Sequence, residues 1–418
     1  MRIVLALTVA GLIAAGLSPL LLMPTAHAQR AAEVRDTEGD VRPGQVLVEA
    51  RTGLGAASST PRVTIVQTAP GSERAAARDL AARTGVRAAP NFLRRAQVSP
   101  SDPYYSQQWH LPRVGAPALW DVQRGSSQTI IAVLDTGVDP SHPDLTSKLL
   151  PGLNALGPDN CGNTGATDDH ASGHGTHVAG IAAAATDNGV GVAGIAWNAR
   201  ILPIKVLPCD GVGDDSQIIR GIDLAIANGA HIINLSLGGP GSSVLLEAAM
   251  QRAVQAGILV VAAAGNQGTT IPYYPAASAF ALAVGSTDTN DRLAVFSNRG
   301  PHIAVTAPGV SILSTYRTDL TNWDVAPGYQ YKNGTSVSTP IVTGAAALIA
   351  SHYPTHGALR AGAFLAASAD RIVTCPVGVN FCPYDAYGRN DYYGNGRMNV
   401  QKALGFARIT AIPFVARN

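Results

Sequence analysis

Beyond residue 101 the hydrophobic positions show two textures. Short runs are apolar at consecutive positions: Thr129–Leu134, Arg200–Leu207, His231–Leu237, Ile258–Ala263, Ala281–Ser286 and Ile303–Ala307. They are rich in Val and Ile and lack the alternation of a half-exposed strand. They predict strands buried on both faces. Longer stretches with helical spacing lie between them, at Val178–Ala185, Gln217–Asn228, Val244–Ala256 and Val337–His352. Strands alternating with helices predict an α/β fold with a mostly parallel central sheet and right-handed crossovers. In such a sheet, ligand sites are expected beyond the carboxyl ends of the strands.

The N-terminal quarter reads differently. Met1-Arg2 gives a positive start, Ile3 to Met23 is almost wholly apolar, and Ala26-His27-Ala28 has the small-x-small form of a signal peptidase site. Cleavage after Ala28 is expected, with export to the extracellular or periplasmic space. Residues 29–44 are polar and rich in Arg, Asp and Glu. From Gln45 a small α+β unit is predicted. Val46–Val48 and Val63–Val66 form strands, Ser72 caps a helix from Glu73 to Arg83, Gly85 stops it, and Val86 to Leu93 is extended. Residues 96–103 form a Pro/Ser linker suited to cleavage. The expected division is a signal peptide over 1–28, the small unit over 29–98 and the large α/β domain over 99–418. No later stretch reads as transmembrane, so no stable membrane association is expected.

Composition narrows the class. Only 14% of the 418 residues are charged, against roughly 25% in ordinary soluble domains. The 44 Gly and 27 Pro follow no period, which excludes collagen and coiled coil. A net charge of +2 supplies no general surface for nucleic acid. Residues 29–96 hold 11 Lys/Arg and 7 Asp/Glu, a net of +4, whereas residues 97–418 hold 18 and 21, a net of −3. The small unit and the body could therefore attract one another. The four cysteines, Cys161, Cys209, Cys375 and Cys382, fit two disulfides in an exported chain.

Three blocks carry chemistry. Ile131-Ala132-Val133-Leu134-Asp135-Thr136-Gly137-Val138 ends a strand. Ser172-Gly173-His174-Gly175-Thr176-His177-Val178-Ala179-Gly180 opens a helix, and Asn333-Gly334-Thr335-Ser336-Val337-Ser338-Thr339-Pro340 opens another. A serine hydroxyl is a weak nucleophile, so a neighbouring His must take its proton. A carboxylate must orient the imidazole and stabilise its charged form. Asp, His and Ser in these settings are the parts of such a triad.

In that chain order the blocks resemble those of the subtilisin-like serine proteases, over about 300 residues from Asp102 to near Ala407. The resemblance implies a subtilisin-like three-layer α/β fold and a secreted endopeptidase. Asp135 would be the triad carboxylate, His174 the general base and Ser336 the nucleophile. Asn266, ending the run Val260-Val261-Ala262-Ala263-Ala264-Gly265-Asn266, would donate to the oxyanion. His177 matches the family's second, non-catalytic histidine. Ser236, Leu237 and Gly238 match one substrate-pairing edge, and Gly211, Val212 and Gly213 the other. Protein or peptide substrates, read mainly through the main chain, are implied. Tyr274-Pro275 matches a position where the proline is cis. Asp102, Asp144, Asn188 and the carbonyls of Val190 and Val192 match calcium-binding positions, and oxygen-only ligands suit Ca2+.

The small unit resembles, more loosely, the inhibitory propeptide of these enzymes, so the chain's own propeptide is an expected partner of an otherwise monomeric enzyme. Val337 and Ile341 depart from the family's usual Met and His. The cysteines are not general family features. Cys161 precedes the His block and Cys209 follows the Lys205-Val206-Leu207 strand, so Cys161–Cys209 and Cys375–Cys382 are the expected pairs, although sequence permits three pairings. Asp168, Asp169 and His170 read as a solvated loop. One of Asp214, Asp215 and Ser216 is expected to cap the helix beginning near Gln217.

Overall fold

The computed structural model describes residues 41–49, 63–92, 99–157, 165–379 and 382–410. They fall into two compact units, one within residues 1–95 and one within 96–418.

In the first unit β1 (Val41–Glu49) pairs antiparallel with β2 (Val63–Gln67), and α1 (Glu73–Thr84) leads to β3 (Ala88–Phe92) on the other edge of β1. Gly85 ends the helix in the left-handed conformation, at φ 66°, as glycine does without penalty. Ser72 does not cap it. Its hydroxyl donates instead to the Ala69 carbonyl at 2.6 Å. Glu73 is buried, and its Oε1 accepts the N–H groups of Gly44 and Gly71 at 2.6 and 2.9 Å.

The second unit runs α2 (His110–Arg113), α3 (Ala116–Trp120), β4 (Ile130–Asp135), β5 (Leu153–Asn154), α4 (His174–Ala183), β6 (Arg200–Lys205), α5 (Asp215–Ala227), β7 (Ile232–Leu235) and β8 (Gly239–Pro240). It continues with α6 (Val244–Gln255), β9 (Leu259–Ala263), β10 (Tyr273–Tyr274), β11 (Ala281–Thr287), β12 (Ile303–Pro308), β13 (Ile312–Thr315) and β14 (Tyr329–Lys332). It closes with α7 (Thr335–His352), α8 (Gly357–Ala367) and α9 (Val400–Thr410).

A seven-stranded sheet in the order β12-β11-β9-β7-β4-β6-β5 is parallel at every pair. Its strands are apolar at consecutive positions because both faces are covered. Along β4, Ile131 and Val133 join the core under α4 and α7, while Ala132 and Leu134 join the core under α5 and α6. The result is three layers, as expected. The chain leaves β4 first towards β5 and β6, then returns to build β7, β9, β11 and β12 on the other side. The order therefore reverses at β4, where an open α/β sheet forms its crevice.

The elements that the hydrophobic pattern missed are mostly short or polar. β5, β8 and β10 have two residues each, and β14 is Tyr-Gln-Tyr-Lys. Both block helices begin earlier than their apolar spacing suggests, at His174 and Thr335. Their first turns are largely buried but mostly polar, so apolar spacing does not mark them. Asp214 is the cap of α5, within a capping box closed by Gln217. Tyr274-Pro275 is cis. Cys375 and Cys382 are bonded, with Cα atoms 5.5 Å apart. Cys209 is also disulfide-bonded, and its expected partner Cys161 lies outside the described residues, as do the proposed signal peptide and residues 93–98. No helix among the described residues is long and apolar enough to cross a membrane.

Candidate active site

Asp135 is the last residue of β4, and His174 is the first of α4. The sheet end and the helix start bring them into contact. His174 Nδ1 lies 2.7 Å from Asp135 Oδ1, which also accepts the Thr136 N–H at 2.7 Å. Asp135 is fully buried, whereas the His174 side chain keeps 23% of its surface. Burial pushes His174 down, but the adjacent Asp135 charge and hydrogen bond outweigh it and hold the imidazole above its ordinary pKa.

Ser336 sits in the first turn of α7, with Gly334 just before the helix. Gly334 has φ 148°, and a Cβ there would lie 2.9 Å from Ser336 Oγ and 3.3 Å from Asn266 Nδ2. The hydroxyl and the amide nitrogen therefore face the same small space, which only glycine leaves open. Asn266 is fixed in that orientation. Its Oδ1 accepts the Thr335 N–H at 2.8 Å and the Thr335 hydroxyl at 2.9 Å. Pro340 lies inside α7 and has no N–H to offer the Ser336 carbonyl four residues back. The Ser236 hydroxyl donates to that carbonyl instead, at 2.7 Å.

The two expected substrate edges leave strands that flank β4. Ser236, Leu237 and Gly238 follow β7, while Gly211, Val212 and Gly213 follow β6. Val212 is 74% exposed. Gly238 packs against the Tyr274 carbonyl, where an added Cβ would sit at 3.0 Å. His177 is buried and its Nε2 bonds the Gln330 carbonyl at 2.9 Å.

The Asp168–His170 segment is not a solvated loop. Asp168 is 2% exposed. It accepts from Thr136 Oγ1, Thr176 N and Thr176 Oγ1 at 2.9, 3.0 and 2.6 Å. Asp169 pairs at 2.6 Å with Lys205, whose side chain is completely buried. Internal hydroxyl and ammonium donors replace the water that the acidic sequence invited. No hydrophobic periodicity marks Asp168, Thr136, Thr335 or Lys205. Thr136 and Thr335 lie inside the blocks and Asp168 shortly before one, whereas Lys205 is far from all three in the sequence.

Residues 126–396 match the Subtilase family. The chain belongs to that family. Thermitase of Thermoactinomyces vulgaris is 40% identical over 309 residues, covering 74% of this chain and 100% of thermitase. A thermophilic serine proteinase of Bacillus sp. (strain AK1) is 39% identical over 320 residues, 76% of this chain and 72% of that protein. Subtilisin E of Bacillus subtilis (strain 168) is 39% identical over 304 residues, 71% of each chain. Among solved structures, a protease of Pseudoalteromonas arctica PAMC 21717 aligns with a TM-score of 0.65 and 32% identity, over 74% of this chain and all of that one. This subtilase is a serine protease, hence a hydrolase, and its fold is the one the blocks implied.

The residues expected to hold calcium come together in the subtilase unit. Asp102 accepts the N–H groups of Asp187 and Asn188 at 2.8 and 3.3 Å. Asp144 accepts Asn188 Nδ2 at 3.0 Å, Val192 N at 2.9 Å and the Tyr329 hydroxyl at 3.0 Å. Gly191 has φ 51°, and a Cβ there would fall 2.1 Å from Asp144 Oδ2, so the loop closes tightly on the carboxylate. Burial, reinforced by the nearby Asp102 charge, pushes Asp144 up to about 6, and burial raises Asp102 as well. Oxygen donors of the kind expected here, two carboxylates with an amide and main-chain carbonyls, suit a hard cation. Asn188, however, turns its amide nitrogen rather than its oxygen towards Asp144. Among the described residues there is no cluster of three or more His, Cys, Asp or Glu.

Proposed function

We propose that this subtilase is a secreted endopeptidase, made as a self-processing zymogen, that hydrolyses peptide bonds through an acyl-enzyme on Ser336. The supporting observation is the convergence of the Ser336 hydroxyl and the Asn266 amide at Gly334, alongside the 2.7 Å contact between His174 and Asp135.

Ser336 Oγ attacks the scissile carbonyl carbon, and its proton passes to His174 Nε2. Asp135 holds Nδ1–H and stabilises the imidazolium. Asn266 Nδ2 and the Ser336 N–H, at a helix N-terminus, receive the developing oxyanion. One such donor is worth on the order of 3 kcal/mol, a value whose reference case is itself a subtilisin. His174 then protonates the leaving nitrogen as the C–N bond breaks. Water repeats the sequence and releases the acid. Extended peptide pairs with the main chain of Ser236–Gly238 and Gly211–Gly213. Calcium, where bound, compensates the charge of the two buried carboxylates; Asp102, Asp144, Asn188 and the carbonyls of Val190 and Val192 would hold it. The Cys161–Cys209 pair would staple the loop before the His block to the end of β6.

Residues 1–28 would direct export, and residues 29–98 would act as the propeptide, removed within Arg95 to Ser101. Ser336→Ala, expressed without other proteases, should accumulate as an uncleaved species starting at Gln29. Normal processing of that variant would refute self-cleavage.

A further inference from the structure

Asp168 is a buried carboxylate beside the triad that takes no part in the steps above. Its Oδ1 accepts the Thr136 hydroxyl at 2.9 Å and the His170 N–H at 3.2 Å. Its Oδ2 accepts both the N–H and the hydroxyl of Thr176, at 3.0 and 2.6 Å. Thr136 directly follows Asp135, and Thr176 lies two residues after His174. Thr136 Oγ1 in turn accepts the Gly175 N–H at 2.9 Å, and Lys205 Nζ grips the Thr136 carbonyl at 2.6 Å. One carboxylate thus ties the strand end carrying Asp135 to the helix start carrying His174. The helix needs this, because Gly173 at its N-cap has no side chain to accept the unpaired N–H groups of the first turn. There is also no slack: a Cβ on Gly175 would meet the Gly137 carbonyl at 2.1 Å.

We propose that Asp168 is a positioning residue of the hydrolysis. It fixes the separation of Asp135 and His174, and its carboxylate, when ionised, favours the imidazolium formed when His174 takes the serine proton. The inference rests on the triad reading above. Besides Asp135 and Asp168, the charged group acting on His174 is Lys332, which opposes them. His170 and His177 also lie in its field; burial holds both below the ordinary value, so they are neutral at pH 7. Asp169 and Lys205 neutralise one another. Asp168 is therefore the second carboxylate whose charge supports a charged His174, while burial raises its own pKa.

Asp168→Asn keeps the shape, but its single amide oxygen can serve either the two Thr176 donors or those of Thr136 and His170, not both sets. The expected result is a kcat reduced about 10- to 100-fold with KM within about twofold, as for a small misplacement of reacting groups. The acid limb of kcat/KM should also move to lower pH. Thr136→Val removes one leg of the tie and should lower kcat about tenfold, with Thr136→Ser restoring it. That pair carries the test if Asp168→Asn does not fold. A parent-like kcat and acid limb in Asp168→Asn, even at reduced stability, would overturn the proposal, as would a parent-like kcat in Thr136→Val. His174→Ala separates the two readings. If it stays active, the triad assignment itself fails. If it is inactive while Asp168→Asn matches the parent, only the positioning role falls.

Discussion

Two buried carboxylate pairs meet the same problem in different ways. Asp135 and Asp168 stand beside His174, with Lys205 pinning the intervening Thr136 carbonyl. Asp102 and Asp144 stand against the 186–192 loop and Tyr329, and their donors are neutral: main-chain N–H groups, an amide and a tyrosine hydroxyl. Burying a carboxylate is costly unless it is paired or hydrogen-bonded. Asp135 draws its compensation from the chain's own imidazole, whereas Asp168 is held by two hydroxyls and two main-chain N–H groups. The second pair has only dipoles, so burial pushes Asp144 up to about 6 and raises Asp102, as it also raises Asp168. Of these four carboxylates, only Asp135 is hydrogen-bonded to a side chain that can carry a positive charge.

The largest effect expected from this contrast is on rate. Asp135→Asn should lower kcat by about 10⁴-fold, because the imidazole loses both its orientation and its counter-charge. Asp144→Asn should leave kcat at 25 °C within about threefold, since that pair lies outside the hydrogen-bond network of the triad. Steady-state kinetics on one peptide substrate compares them. Equal losses would erase the distinction.

Next comes stability. A site held at 100 times its dissociation constant adds about 2.7 kcal/mol, so excess chelator should lower the Tm of the inhibited enzyme. Asp144→Asn should start low and respond little to chelator. An unchanged parent Tm in chelator would remove calcium from the account.

A smaller effect is expected at His110, a buried ionisable group that, unlike these carboxylates, has no hydrogen-bond partner. It is 0% exposed, and neither ring nitrogen has a hydrogen-bond partner. Burial pushes it down to about 3, against 6.5 for the free side chain. The folded state therefore refuses a proton that the unfolded chain accepts. Above pH 6.5 both states are neutral and the proton-linked penalty is absent, and stability declines as pH falls from there towards 3. His110→Leu should flatten that decline. The Tm difference between variant and parent should grow in the variant's favour between pH 7 and pH 4, and a constant difference would contradict the assignment.

The sheet strands and the three block residues were legible because each rests on a local signal. Consecutive apolar residues mark strands buried on both faces, and the blocks are contiguous. The brace around Thr136 was not legible. Asp168 and Asp169 look like surface residues until the fold supplies Thr136, Thr176 and Lys205 from three other segments, so tertiary pairing overrode their polarity. Ser72 failed as a cap for a similar reason: its hydroxyl found a nearer acceptor in the preceding turn. The short strands β8 and β10 exist only by pairing with each other, which no local pattern encodes.

The central claim is that Ser336 is a nucleophile activated by His174 and Asp135. Labelling with a fluorophosphonate tests it most directly, with the modified peptide located by mass spectrometry. The account predicts stoichiometric label on Ser336 in the parent, strongly slowed labelling in His174→Ala and Asp135→Asn, and none in Ser336→Ala. Absence of label on Ser336, or parent-like labelling without His174, would contradict it.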